Sequence, residues 1–215
     1  MNRRAAAFIV PFVVFMAFLK VGALGVDLRV ELILRLVAPA LAIAYYWKAF
    51  PSLSVQRPIT SCLVGLGVLV LWVAPELLWP GYRSHWLFQN ALFGRLSAQP
   101  LANPIDLALR SLRAIVVVPI VEELFWRGWL MRWLIKDEFD TIPVGSYRTT
   151  SFLLTAVLFA SVHGAYWEVG LLTGLIYNWW AVRTRSLGDL MLVHGVTNAA
   201  LAAFVIVTHR WEFWM

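Results

Sequence analysis

The chain has 215 residues, of which 61% are hydrophobic and 14% are charged, whereas a soluble domain is about 45–50% apolar and about 25% charged. A soluble globule of this composition could not bury its apolar surface, and a disordered chain is excluded because long polar tracts are absent. The single cysteine, Cys62, excludes a disulfide scaffold and a thiolate metal cluster. The composition therefore predicts an all-α, polytopic membrane protein.

The basic residues outnumber the acidic ones by 18 to 12, which gives a formal net charge of +6. They are scattered between apolar runs, so we expect them to face lipid head groups and not nucleic acid. A helix that crosses ~30 Å of hydrocarbon needs about 20 apolar residues, so the chain has room for about six to eight spans. We therefore expect one membrane domain over residues 1–215, with seven to eight transmembrane helices that enclose a cavity.

Seven apolar runs follow one another along the chain and predict seven spans. The first run follows Arg3 and Arg4 and is typical either of a first anchor or of a secretory signal cleaved near residues 21–23; we interpret it as a span. The two runs that flank His163 are shorter than a straight crossing requires, which predicts helices that end inside protein or in a water-filled cavity. The runs cover about residues 5–19, 30–50, 61–79, 105–135, 151–162, 169–182 and 190–207.

Between the third and fourth runs, residues 82–104 are polar and mixed, with apolar positions spaced as in an interfacial amphipathic segment. This segment would be an eighth helix. Placing the amino end in the cytoplasm leaves slightly more arginine and lysine on the inner side. We therefore expect a multi-pass protein of the plasma (inner) membrane with a cytoplasmic amino end.

Several polar residues have structural explanations. Glu31 precedes Arg35 by four residues, which predicts an ion pair on one helix face. Glu76 lies near an interface and is interpreted as structural. Cys62 begins a span with no histidine nearby in sequence, so we interpret it as a small apolar filler and not as a nucleophile.

The first candidate for chemistry is the adjacent pair Glu122 and Glu123, deep in the fourth run, where an ionisable group needs a specific explanation. Arg127 lies four residues after Glu123, about 40° round the helix, but five after Glu122, about 140° round. Arg127 can therefore neutralise Glu123, while Glu122 points elsewhere and is available to take and return a proton. The alternative is that all three residues form one buried salt-bridge cluster.

The second candidate is His163, which ends the fifth run and is followed by a glycine. Phe159 lies one turn earlier on the same face and would form a pocket wall. Ser161 lies off that face, so a Ser–His nucleophile pair is not predicted. A purely structural histidine beside an interface is the alternative.

The third candidate is the pair His194 and Asn198, early in the last run. Their spacing of four places an imidazole and an amide on one helical face, where both can donate hydrogen bonds to a single point. The alternative is a polar pair that holds two helices together.

Together these motifs resemble the CAAX prenyl endopeptidase-like intramembrane proteases, also described as the bacteriocin-processing or type II CAAX family. Members carry Glu-Glu-x-x-x-Arg, then Phe-x-x-x-His, then His-x-x-x-Asn or Asp. The chain has all three in order, at residues 122–127, 159–163 and 194–198. The resemblance covers about residues 105–208, and residues 1–104 share only hydrophobicity with it. A stand-alone chain of this length also resembles the CAAX protease-related proteins of exosortase and PEP-CTERM sorting systems.

The resemblance implies a glutamate-dependent endopeptidase. Glu122 would be the catalytic base that acts with His163 to activate a water, and His194 and Asn198 would form the oxyanion hole. The implied substrate is a membrane-anchored or lipid-modified protein, cleaved near its carboxyl end.

The resemblance also implies that Glu123 and Arg127 orient the site or contact the substrate carboxylate, and that no cofactor is needed. Two alternatives stay open. Glu122, His163 and His194 are the ligand types of zinc hydrolases, although the usual His-Glu-x-x-His spacing is absent. The same fold could also serve a non-catalytic membrane immunity or sorting protein that binds a partner.

Overall fold

The structure is a computed structural model that describes residues 3–18, 24–88 and 103–214. Within these ranges all regular structure is helical and there is no strand, as the composition predicts. The part before residue 88 forms three long helices, which we name α1, α2 and α3. They cover Arg3–Phe18, Leu28–Tyr46 and Pro58–Leu78.

The starts of α2 and α3 follow from the local sequence. Asp27 caps α2, and its side chain accepts hydrogen bonds from the backbone N–H groups of Arg29 and Val30 at 2.9 and 3.3 Å. Such a cap satisfies donors that have no partner within the helix. Pro58 begins α3, where the missing N–H of proline costs nothing and its fixed φ suits the helix.

The fourth helix, α4, is continuous over residues 104–133 but is interrupted by two π-helical segments. The α-helical segments Pro104–Leu112, Val118–Glu123 and Met131–Trp133 alternate with the π-helical segments Arg113–Val117 and Leu124–Leu130. π-Helical turns are rare and often occur at functional sites. The two π segments lie on either side of the adjacent pair of glutamates.

Three further helices, α5, α6 and α7, complete the described chain. They cover Thr149–Ser161, Trp167–Thr184 and Leu187–Thr208. The 13 residues of α5 rise only about 20 Å, which is too short to cross a bilayer. The exposed Ser161 ends α5, the residues that follow it, Val162, His163 and Gly164, line a cavity, and a short 3₁₀ turn leads into α6.

The seven helices lie close to the seven predicted spans, but by length and apolar composition only two described helices qualify for a membrane crossing. These are α3, Pro58–Leu78, and α7, Leu187–Thr208. The other helices are too short, too polar or, like α4, divided by changes of winding. Seven to eight crossings therefore stay a prediction. The expected cleavage site at residues 21–23 and most of the interfacial segment, residues 89–102, lie outside the described residues.

Small residues allow the helices to approach closely. The helices pack mainly as the pairs α1–α2, α3–α7 and α5–α6, with α4 against α1 and α7. A Cβ atom on Gly65 of α3 would lie 2.7 Å from the carbonyl oxygen of Val193 on α7. Likewise, a Cβ on Gly174 of α6 would lie 3.0 Å from Cα of Ala156 on α5. Such small-residue contacts are typical of helix packing in membranes.

The start of α7 is tied to the segment before α3 by a buried carboxylate. Asp189 is fully buried and accepts hydrogen bonds from the backbone N–H groups of Gln56 and Arg57 at 2.7 and 2.8 Å. The hydroxyl of Ser61 also donates to it at 2.8 Å. These bonds fix the register between the two helices that qualify as spans.

The outward face of α3 is apolar. Ile59, Leu63, Leu66 and Val70, spaced three or four residues apart, are 77, 63, 46 and 62% exposed. A contiguous apolar stripe of this kind is unusual on a soluble monomer. Such a stripe is expected on a helix that faces lipid.

Two predicted structural roles are confirmed. Nη2 of Arg35 lies 2.6 Å from Oε1 of Glu31, so the expected i, i+4 ion pair is present. The carboxylate of Glu76 accepts hydrogen bonds from the backbone N–H groups of Gly81 and Arg83 at 2.8 and 2.9 Å. It thereby holds the turn after α3.

Candidate active site

The predicted catalytic residues, which come from three different parts of the sequence, line one cavity. This central cavity has a volume of about 790 Å³. Glu122 reaches it from α4, His163 from the end of α5, and His194 and Asn198 from α7. Phe159 also lines it, as expected for a pocket wall.

Glu122 is 7% exposed, and its Oε2 atom is buried without a hydrogen-bond partner among the described residues. A buried carboxylate oxygen that no donor satisfies is costly, and such atoms in native structures call for an explanation. A water or substrate held at the cavity wall would supply one. Glu122 is therefore chemically available, in contrast to its neighbour.

Glu123 is fully buried and bonded on two sides. Nη1 of Arg127 donates to its Oε1 and Oε2 at 3.1 and 3.2 Å, so the predicted pair is present. Nδ1 of His194 lies 2.9 Å from Oε1 of the same carboxylate. An ionised carboxylate can only accept, so this contact suits a proton on Nδ1 of His194, and it directs Nε2 away from Glu123.

Arg127 is anchored in the protein behind the cavity. Its Nε donates to Oδ1 of Asn178 at 2.8 Å, its Nη2 donates to the carbonyl of Gly174 at 3.3 Å, and its guanidinium lies 4.6 Å from the ring centroid of Phe159. Neither Arg127 nor Glu123 lines the cavity, and both side chains are 0% exposed. Of the two roles that the sequence analysis allowed, this geometry supports orienting the site and not contacting the substrate carboxylate.

His163 is fixed by its own chain. Its Nδ1 lies 2.6 Å from the carbonyl oxygen of Phe159, one turn back, and donation to that carbonyl leaves Nε2 as an acceptor in the neutral ring. The ring centroids of His163 and Phe159 are 4.5 Å apart, and those of Phe159 and His194 are 6.4 Å apart. The ring of Phe159 thus neighbours both imidazoles, which come from the end of α5 and from α7.

Asn198 interacts with the first π segment of α4. Its Nδ2 donates to the carbonyl oxygen of Ala114 at 2.7 Å. Since an amide nitrogen carries two N–H groups, this bond leaves one N–H for a further acceptor. The contact also fixes the distance between α7 and α4 at the level of the site.

Sequence reasoning missed several residues that build the site. Trp72 of α3 lines the cavity, with its ring centroid 5.6 Å from that of His163. Asn178 of α6 is fully buried and holds Arg127 by accepting from its guanidinium. A polar amide within an apolar run is a signal that could have identified Asn178. A tryptophan in an apolar helix gives no comparable signal.

The zinc alternative would need Glu122, His163 and His194 as ligands, and all three line the cavity. Among the described residues, no three His, Cys, Asp or Glu side chains are grouped so that they could hold a metal ion. Ser161 hydrogen-bonds to the carbonyl oxygen of Leu158 at 2.7 Å and is exposed. Cys62 is a free thiol and does not line the cavity.

Comparison with known proteins finds one family that the segment carrying this site resembles. Residues 104–200 match the family model described as type II CAAX prenyl endopeptidase Rce1-like. No curated protein and no solved structure matches the chain. The matched segment begins with α4, contains all three motifs and extends into α7. Proteins of this family are membrane-embedded proteases, and residues 104–200 of this chain are similar to the Rce1-like type II CAAX prenyl endopeptidases.

Proposed function

We propose that the protein is an intramembrane glutamate-dependent endopeptidase that uses no metal. The observation that carries the proposal is the position of Glu122, a buried carboxylate with an unsatisfied oxygen in a cavity that His163, His194 and Asn198 also line. General base, water ligand and oxyanion donors are the groups that peptide hydrolysis by water requires.

In this mechanism a water lies between Glu122 and Nε2 of His163. Glu122 takes one proton from the water as its oxygen adds to the scissile carbonyl carbon, and the carbonyl oxygen becomes an oxyanion. Glu122 then returns the proton to the leaving amine as the carbon–nitrogen bond breaks. The products are a new carboxyl end and a new amino end, so the carboxylate is regenerated unchanged.

His194 and Asn198 stabilise the oxyanion. The bond from Nδ1 of His194 to the Glu123 carboxylate orients the ring, and in this mechanism the protonated ring presents its Nε2–H to the oxyanion. The free N–H of Asn198 supplies the second donor. Each donor aimed at the developing charge is typically worth about 3–4 kcal/mol.

The proposed substrate is a membrane-anchored or lipid-modified protein that is cleaved near its carboxyl end. The prenyl specificity in the family description is the basis for the lipid-modified class. We further propose that the protein lies in the plasma (inner) membrane, with several crossings and its amino end in the cytoplasm. The link to exosortase and PEP-CTERM sorting stays a prediction.

The central test is cleavage of a fluorescent prenylated peptide by the purified full chain in lipid nanodiscs. Glu122→Gln, His163→Ala and His194→Ala should each abolish cleavage without lowering the unfolding temperature by more than a few degrees. Glu76→Gln is the matched carboxylate control and should retain activity, because Glu76 holds a turn outside the cavity. Full activity of Glu122→Gln would refute the assignment.

The same variant separates the enzyme from a non-catalytic sorting or immunity protein. A binding protein would retain its cellular effect when Glu122 becomes glutamine, because the amide has nearly the same size and shape. Chelation tests the metal-free mechanism. Cleavage should persist after treatment with 1,10-phenanthroline, and elemental analysis of the active protein should find no stoichiometric zinc.

A further inference from the structure

Besides the catalytic groups, the central cavity carries an excess of positive charge that the proposed mechanism does not use. Besides Glu122, the charged residues among its described lining are Glu31, Arg35, Arg110 and Arg113. Three guanidinium groups thus face a single carboxylate at this end. Buried charge of one sign is unfavourable unless a counter-charge is present.

Two of these arginines have partners within the described chain. Arg35 is paired with Glu31 at 2.6 Å, and its Nε donates to the carbonyl oxygen of Phe18 at 3.1 Å. Arg110 donates through Nη2 to the carbonyl oxygen of Trp214 and lies 4.9 Å from the centroid of that ring. These contacts position both side chains at the cavity.

Arg113 differs from them. Its side chain is buried, with the residue 8% exposed, and its Nε and Nη1 atoms have no hydrogen-bond partner among the described residues. The residues outside the described ranges include no aspartate or glutamate, so the carboxylate that they could offer is the main-chain one of Met215, next to Trp214. Unpaired guanidinium nitrogens in a protein interior are costly and call for an explanation, and a bound anion is one that supplies both charge and acceptors.

We infer that Arg113, flanked by Arg35 and Arg110, is a specificity subsite that binds the terminal carboxylate of the peptide substrate. The inference rests on the proposed function, because it assumes that a peptide lies in the central cavity. A planar guanidinium matches a carboxylate in shape and charge. Because Glu31 neutralises Arg35, the positive charges of Arg110 and Arg113 remain. A single bound carboxylate would neutralise one of them.

The distance between the subsite and the catalytic base is compatible with this role. Arg113 and Glu122 are nine positions apart on α4, or about 14 Å along the helix axis. An extended peptide covers about 3.3–3.6 Å per residue. A carboxylate at Arg113 would therefore place a peptide bond about four residues upstream beside Glu122, which is the cleavage near the carboxyl end proposed above.

The test compares two farnesylated fluorescent peptides of identical sequence, one with a free terminal carboxylate and one with a terminal carboxamide. Binding is measured to the full chain carrying Glu122→Gln, in phosphatidylcholine nanodiscs, so that no cleavage interferes. The acid should bind about tenfold to hundredfold more tightly than the amide, the range for hydrogen bonds to a charged partner. Adding Arg113→Gln should reduce this ratio to about one, whereas Arg113→Lys should retain part of it.

Arg29→Gln is the matched control. Arg29 pairs with Asp106 at 2.8 Å and does not line the cavity, so its loss should leave the acid-to-amide ratio unchanged. Three results would overturn the subsite. They are an acid-to-amide ratio near one in the chain that carries only Glu122→Gln, binding of neither peptide, and a full ratio after Arg113→Gln is added.

Two further measurements distinguish a peptide carboxylate from a lipid phosphate at the subsite, and failure of the subsite from failure of the proposed function. If added phosphatidylglycerol abolishes the acid preference of the chain with Arg113 intact, the subsite binds lipid phosphate, which overturns the carboxylate assignment. If the parent chain with Glu122 intact cleaves neither peptide while the Arg113-dependent ratio persists, the proposed function fails and the subsite stands. Equal cleavage of acid and amide would remove the subsite and leave the proposed function intact.

Discussion

Nδ1 of His194 lies 2.9 Å from Oε1 of Glu123, and the same carboxylate accepts from Nη1 of Arg127 at 3.1 and 3.2 Å. The contact joins α4 to α7 and sets the orientation of the imidazole ring. Two adjacent glutamates on one helix therefore have different tasks. Glu122 faces the cavity, while Glu123 lies behind it and controls the ring of His194.

The contact predicts that Glu123→Gln lowers kcat about 100-fold and changes KM little. A neutral amide cannot stabilise the imidazolium that the proposed oxyanion donor needs, and removal of one such donor typically costs this much. Steady-state cleavage of the prenylated peptide measures the effect. Glu76→Gln provides the control, and an unchanged kcat in Glu123→Gln would contradict the role given to His194.

Arg127 should be a determinant of stability. Replacing it with methionine leaves the Glu123 carboxylate buried without its cation, a change that typically costs about 3–5 kcal/mol. Chemical unfolding in detergent or nanodiscs should show this loss. Arg4→Met is the control, because Arg4 is exposed where it pairs with Asp140 and surface pairs contribute little. Equal unfolding midpoints for the two variants would contradict the prediction.

Asn198→Ala should reduce kcat about 100-fold to 1,000-fold if its free N–H donates to the oxyanion. The variant also leaves the carbonyl of Ala114 without its donor, so a modest loss of stability should accompany it. Ser161→Ala should change neither property, since that hydroxyl is exposed and bonds only to Leu158 in its own helix. Loss of cleavage in Ser161→Ala would reopen a serine mechanism.

Two glycines of α3 allow a matched test of helix packing. Gly65→Ala would bring a Cβ to 2.7 Å from the carbonyl oxygen of Val193, whereas a Cβ on Gly67 meets nothing within 4 Å. We expect Gly65→Ala to destabilise the protein by about 1–3 kcal/mol and to lower kcat, because α7 carries His194 and Asn198. Gly67→Ala should be neutral or slightly stabilising, since alanine favours helix. Similar unfolding curves for both variants would argue against close α3–α7 packing.

Periodicity and motif spacing were sufficient to predict the helices and to assign different roles to Glu122 and Glu123. The seven apolar runs correspond to α1 through α7 because a long apolar run has few alternatives to a helix. The pairing of Arg127 with Glu123 follows from a spacing of four on one helix, which is a local property. The same locality explains the confirmed Glu31–Arg35 pair.

What the sequence by itself determined about this protein is therefore the helical class, the order of its helices and the side chains that are candidates for catalysis. Only the tertiary structure decided which of them meet. The contacts of His194 with Glu123 and of Arg127 with Asn178 span 71 and 51 positions, and helical periodicity carries no information over such separations. The unpaired nitrogens of Arg113 also became visible only in three dimensions, because pairing depends on neighbours contributed by other helices.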